Sequence, residues 1–383
     1  MPGSPSLEQI DYRVSAPGRV NLLGEHVDYN QGVVLPAAID RRVRLQAKLL
    51  PNPIVWLHAA DLDAETAFTL DSLHLKKDLQ GNPLPAWALY PAGVAWALQQ
   101  RGLQPSGIRV SYSSDIPIGA GLSSSAAVEV AFSALWQGAA GWPLNRLELA
   151  LICQQAEVEY VGVNCGAMDQ ITSACGVAEH ALQIDMRSLD VKAIPLPGDL
   201  AIVIADSGVP RTLAGSAYND RRAACEQAVR ILSEFIPGIT SLRDVSVTDF
   251  NRYAGRLPEQ IHMFARHVVE EMTRVNEAVR ALEAGDVDAF GRLMLAGHAS
   301  LRDLYLVSTP ELDVLVEIAR DLPGCWGARL TGAGFGGCTV NLVEARYVDD
   351  FIQRLSIEYW QTTGRRAQVY ACRASQGATV SAA

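Results

Sequence analysis

From Val43 to Leu49 the chain reads V-R-L-Q-A-K-L, and its strict alternation predicts a strand with Arg44, Gln46 and Lys48 facing solvent. Residues 54–59 (IVWLHA) and 108–113 (IRVSYS) predict two more strands. Between them, residues 87–100 (WALYPAGVAWALQQ) predict a helix that Pro91 starts or breaks. Helices are predicted over 124–137 and 146–161, the second capped by Asn145, and strands over 181–186 and 201–206. Beyond Asp206 the pattern turns mostly helical, with amphipathic runs at 216–235 and 264–283. Thr309-Pro310-Glu311 supplies an N-cap, a proline at the first helical position and an acid in the first turn. Strands return over 328–343. The reading is an α+β protein without internal repeats. The Pro/Gly-containing stretch DVKAIPLPGDL near 190–200 divides it into domains 1–195 and 196–383, with a cleft expected at the hinge.

Two glycine-rich loops interrupt these elements. In IPIGAGLSSSAAVEVAFSALW (116–136) a strand ends, small residues turn, and a helix opens at the serines. A helix N-terminus presents free N–H groups and a positive dipole end, which suits phosphate. Gly119, Ala120, Gly121, Leu122, Ser123, Ser124 and Ser125 are therefore the candidate phosphate-binding residues, although the loop is not a Walker A sequence. The second loop, LTGAGFGGCTVNLV (330–343), places Gly332, Gly334 and Gly337 in a G-x-G-x-x-G spacing. The dinucleotide fingerprint requires a helix after the glycines, and here the β-formers Cys338, Thr339 and Val340 follow. A hairpin is predicted, with something approaching its backbone closely.

A third stretch, APGRVNLLGEHVDYNQG (16–32), crowds Arg19, Glu25, His26 and Asp28 among apolar residues fit for a core.

Composition narrows the classes. The 383 residues carry 42 acids against 32 bases, a formal charge of −10, which argues against nucleic acid. The first residues, MPGSPSLEQIDYRVS, contain no apolar run of a signal peptide, and no segment is apolar enough for a membrane helix. Seven cysteines without a C-x-x-C point to neither a disulfide framework nor zinc, and the chain is expected in the cytoplasm.

Together GRVNLLGEHVDYN, PIGAGLSSSAA and LTGAGFGGC resemble the GHMP kinases and, among them, the galactokinases. CGAMDQ (165–170), GSAYNDRRAACE (215–226) and HASLRD (298–303) match as well, so the resemblance covers nearly the whole chain. It implies a two-domain fold with the site in the cleft between domains, and transfer of phosphate from ATP to the C1 hydroxyl of α-D-galactose. By position, Glu25, His26, Asp28, Gly166, Asp169 and Tyr218 would hold the sugar. Asp169 would act as base, with Arg19 stabilising the transferring phosphoryl group. Ser125 and Glu157 would bind Mg²⁺. Glu157 and Glu159 point in different directions on a helix and spacing alone cannot choose between them; the resemblance favours Glu157. A monomer acting on galactose and ATP is implied. A kinase for N-acetylgalactosamine and a non-catalytic galactose and ATP sensor are the rival readings. The sequence departs from the usual galactokinase pattern at Leu89, Met186, Leu304 and Leu306, which bears on the shell around the sugar.

Overall fold

The structure, a computed structural model, describes residues 10–117, 121–210 and 214–383. Its strands are β1 (Tyr12–Asn21), β2 (Val33–Val34), β3 (Pro36–Leu50), β4 (Ile54–Ala59), β5 (Ala64–Thr69), β6 (Gly107–Ser114), β7 (His180–Asp185), β8 (Val191–Pro195), β9 (Leu200–Asp206), β10 (Cys325–Thr331), β11 (Cys338–Glu344), β12 (Gln368–Cys372) and β13 (Thr379–Ala382). The α-helices are α1 (Ala86–Gln100), α2 (Ser124–Ala140), α3 (Arg146–Gln155), α4 (Met168–Cys175), α5 (Ala214–Leu232), α6 (Val247–Tyr253), α7 (Glu259–Glu283), α8 (Val287–Asp303), α9 (Pro310–Asp321) and α10 (Val348–Thr363).

Three sheets organise these elements, in the orders β13-β1-β3-β6-β4-β5, β10-β11-β9-β12 and β2-β7-β8. The alternation that predicts β3 is the burial pattern observed: Val43, Leu45 and Ala47 are buried while Arg44 and Gln46 are exposed. Helices α2 and α4 pack on β1, and α8 and α9 pack on β10. One apolar core runs beneath the six-stranded sheet into the helical half, and a smaller one lies between β9, α9 and α10. The last strand, β13, returns to pair with β1.

Several expectations need correction. Pro91 neither starts nor breaks α1, which runs through it. Its ring removes one hydrogen bond, but its φ is already helical, and the buried face of Ala88, Ala92, Ala95 and Leu98 holds the helix to the core. The helix predicted over 146–161 is α-helical only to Gln155; Ala156–Val161 widens into a π-helical segment. Asn145 does cap it, in a reciprocal box with Glu148. The stretch near 190–200 contains β8, paired with β7, before a short link to β9. Helix α10 and strands β12 and β13, absent from the pattern reading, complete the tail. The glycine-rich loop after β10 does lead into an antiparallel hairpin with β11.

Candidate active site

Strand β1 positions the first functional group. Its pairing with β3 shifts register between Pro17 and Arg19, where proline has no N–H for the ladder. The Arg19 N–H instead donates to the Leu122 carbonyl at 3.1 Å, tying the strand to the serine-rich loop. Arg19, 7% exposed, turns its side chain toward α4. Its Nε and Nη2 donate to the two oxygens of Asp169, each at 2.8 Å, and Nη1 donates to the Gly121 carbonyl at 2.7 Å. Asp169 sits in the first turn of α4 and also accepts from the Ser123 hydroxyl. Two planar groups meeting edge to edge form the strong bidentate arrangement open to arginine.

After β1 the chain leaves the sheet, and Glu25, His26 and Asp28 line a cavity of about 370 Å³. Arg19, Gly166, Asp169 and Tyr218 line the same cavity, so every residue expected to hold sugar reaches it. Glu25, 4% exposed, accepts from Asn21 Nδ2 at 3.0 Å, Thr331 Oγ1 at 3.3 Å and the Gly332 N–H at 2.6 Å. Arg329, fully buried on β10, lies 3.5 Å from it. Asp28 faces Gly166 so closely that a side chain there would place its Cβ 2.8 Å from Asp28 Oδ2, hence the glycine. Burial first, then the nearby Asp169 and Glu25 carboxylates, push the Asp28 pKa up to about 6. Tyr218 lies beside His26, ring centroids 5.6 Å apart and planes tilted by 40°, and burial raises its phenol pKa. Val163, Asn164, Cys165, Asn219, Gly332 and Ala333 complete much of the wall. Pattern reading gives Val163 and Asn164 no role, while Cys165 lies in the CGAMDQ stretch, Asn219 in GSAYNDRRAACE, and Gly332 and Ala333 in the glycine-rich hairpin loop.

A second cavity, of about 360 Å³, is lined by Pro117, Gly121, Leu122, Ser123, Ser124 and Ser125. Arg19, Asp169, Gly332 and Ala333 line it too, so the two cavities meet at the Arg19–Asp169 pair. Gly121 has φ 76°, a left-handed conformation that suits glycine, and α2 begins at Ser124. Gly119 and Ala120, named with this loop from the sequence, lie outside the described residues.

The two glutamates on this segment have different surroundings. Glu159 is exposed and accepts from Gln155, whereas Glu157 is 6% exposed and faces the serine loop. Glu157 accepts from Gln170 at 2.6 Å, from the Cys165 thiol at 3.4 Å and from the Ser125 hydroxyl. Burial and then Asp169 raise its carboxyl pKa. Gln170 also donates to Glu129 at 3.1 Å, a fully buried carboxyl that burial holds well above the ordinary range. Among the described residues the groups donating to Glu157 are all neutral, so the Ser125 hydroxyl and the Glu157 carboxylate meet with no protein cation paired to that carboxylate. That donor set fits a hard divalent cation, which needs few protein oxygens.

The departures at Leu89, Met186, Leu304 and Leu306 all lie off the wall of the cavity lined by Glu25, His26 and Asp28. Leu89 and Met186 pack against the core, and Leu306 is 43% exposed.

Family models match in three places: the galactokinase galactose-binding signature over residues 8–49, the GHMP kinases N terminal domain over 90–177 and the GHMP kinases C terminal domain over 278–360. A galactokinase of Roseiflexus sp. (strain RS-1) is 50% identical over 369 residues, 95% of this chain and 91% of that one. A galactokinase of Chloroflexus aggregans is 47% identical over 362 residues, covering 94% and 91%. The crystal structure of Lactococcus lactis galactokinase complexed with galactose superposes with a TM-score of 0.90 at 33% identity, covering 97% of this chain and 95% of that one. Methanococcus jannaschii mevalonate kinase, at 20% identity and a TM-score of 0.66, shares the fold. With the galactose-binding signature, both GHMP domains and relatives of this identity spanning nearly its whole length, the chain belongs to the galactokinase family of the GHMP kinases.

Proposed function

We propose that this enzyme transfers the γ-phosphoryl group of ATP to the C1 hydroxyl of α-D-galactose, giving α-D-galactose 1-phosphate and ADP. The observation that carries the reading is the Arg19–Asp169 pair standing where the two cavities meet. One cavity offers carboxylates and the Tyr218 phenol to a hexose; the other offers backbone N–H groups and hydroxyls at a helix start to phosphates. Asp169 accepts the C1 hydroxyl proton, the freed oxygen bonds to the γ-phosphorus, and the bond from phosphorus to the ADP oxygen breaks. Arg19 holds Asp169 in place and offers positive charge where the transferring group gathers negative charge. Mg²⁺, held by Ser125 and Glu157, would supply charge neutralisation along the phosphates. We assign the two lobes to residues 1–195 and 196–383, and take the enzyme to work as a monomer, since one chain supplies every residue of the site. Among the described residues no helix is long and apolar enough to cross a membrane. The seven cysteines, all free thiols, suit the reducing cytoplasm.

An ADP-release assay across a hexose panel tests this. Galactose should give the highest kcat/KM, 2-deoxygalactose modestly less and glucose far less, because a site built to pair a hydroxyl rejects analogues that misplace it. A higher kcat/KM for glucose or N-acetylgalactosamine would overturn the galactose assignment.

Asp28 adds a pH dependence. A folded pKa of about 6 stands above the ordinary carboxylate value, so the native state binds the proton more readily than the unfolded chain. The associated stability is present at low pH and lost as pH rises through about 6. Asp28→Asn, which never charges, is therefore expected to melt higher than wild type at neutral pH, with the gap closing as the medium is acidified below the unfolded pKa. Thermal scans across that range check it; a gap that stays constant would show that Asp28 does not titrate as described.

A further inference from the structure

His26 adopts a left-handed backbone conformation, φ 61°, and both of its ring nitrogens are engaged inside the protein. Nε2 lies 3.2 Å from the Ala333 carbonyl oxygen, which can only accept, so Nε2 carries a proton. Burial first, then His267 and the Arg221 and Arg329 cations, bring the ring pKa down to about 3. The ring is therefore neutral and Nδ1 must accept. The Tyr29 hydroxyl, 3.0 Å away, donates to it; Tyr305 donates to Tyr29 at 2.7 Å; and the Cys225 thiol donates to Tyr305 at 3.4 Å. Every donor in this chain points one way, which fixes the tautomer. A ring so engaged has no nitrogen left for a sugar hydroxyl.

What it holds is the glycine-rich loop. Ala333 and its neighbour Gly332 line the sugar-site cavity and the serine-loop cavity alike. The adjacent Glu25 grips the same loop through the Gly332 N–H at 2.6 Å. We propose that His26 is a positioning residue: its Nε2–H tethers Ala333, and so sets the wall that the nucleotide and sugar sites share. This rests on reading the serine loop as the nucleotide site. It also reassigns His26 from a direct ligand of the sugar to a residue through which the sugar motif reaches the nucleotide.

The test is calorimetric titration of a non-hydrolysable ATP analogue in the absence of sugar, where a residue that only bound galactose would leave affinity unchanged. Asparagine tolerates the left-handed backbone and can still meet Tyr29, but it is too short for Ala333. Glutamine can place its amide N–H near the Nε2 position. His26→Asn is expected to weaken analogue binding about five- to tenfold, the worth of one net hydrogen bond, and His26→Gln to restore most of it. Wild-type affinity in His26→Asn, or equal losses in both variants, would overturn the tether. Gly121→Val, titrated alongside, separates the two levels. Its Cβ and left-handed φ should block nucleotide approach, and undiminished binding there would instead remove the serine loop from the nucleotide site. Nitrogen NMR of the ring offers a second check. A protonated Nε2 and bare Nδ1 are expected at neutral pH, and the opposite tautomer would refute the proposal.

Discussion

Asp169→Asn is expected to fold, to keep its affinity for galactose and to lose turnover by about 10²- to 10⁴-fold, the usual worth of a positioned general base. The amide has nearly the carboxylate's shape but takes no proton near neutrality. In the native site both Asp169 oxygens accept from the Arg19 fork, and one of them also accepts from Ser123. The amide supplies one acceptor, so Arg19 keeps one of its two bonds and the cavity keeps its form. Loss is thus expected in kcat and not in binding, the pattern of an interaction used in the transition state alone. Phosphoryl transfer through a loose transition state asks little of the nucleophile, which puts the expectation toward the lower end of that range. The measurements are single-turnover rate, galactose affinity and a melting scan on one preparation. A folded variant retaining more than about a tenth of wild-type turnover, against that hundredfold floor, would show that the site works by positioning and electrostatics without a base at Asp169.

Arg19→Met is expected to cost about 10²- to 10³-fold in kcat, the range seen when a preorganised group facing developing charge is removed. Methionine fills much of the volume of this buried side chain. It offers nothing to Asp169, to the Gly121 carbonyl or to the phosphoryl oxygens. Arg19→Lys separates charge from geometry. A point ammonium restores the positive charge but cannot make the paired contacts from Nε and Nη2. Its kcat should therefore fall between wild type and methionine. Turnover in Arg19→Met within about tenfold of wild type, well above the expected loss, would mean that Arg19 only braces the loop. Because Arg19 joins β1, α4 and the serine loop, both variants are also expected to melt below wild type.

These expectations lean on residues of unequal legibility. The three cavity-lining stretches could be found in the chain because each is local: a turn, a helix start and a hairpin require glycine, serine or β-formers at fixed spacings. Alternation over β3 and the capping residues Asn145 and Thr309 were readable for the same reason, since period and caps are set by neighbouring residues. Pro91 was misleading because local propensity there is outweighed by the packing of the buried face of α1, and propensity is a weak prior against tertiary contacts. Strand β13 could not be anticipated, since its partner β1 lies at the other end of the chain.

The site divides in the same way. The residue types at 19, 25, 26, 28 and 169 are enough to specify what chemistry can be done, and the resemblance they carry names the reaction. Their pairings were decided by the fold. Arg19 meets Asp169 across 150 positions, and His26 meets Ala333 across 307. That Glu157 and not Glu159 meets Ser125 turned on which side of a π-helical segment faces the serine loop. Sequence by itself determined the locally patterned elements, the loops and the chemical groups on them, because each follows from steric and hydrogen-bonding rules acting over a few residues. Which groups share a proton, a charge or a wall depended on distances of a few ångströms between distant segments, and burial of the common core alone sets those.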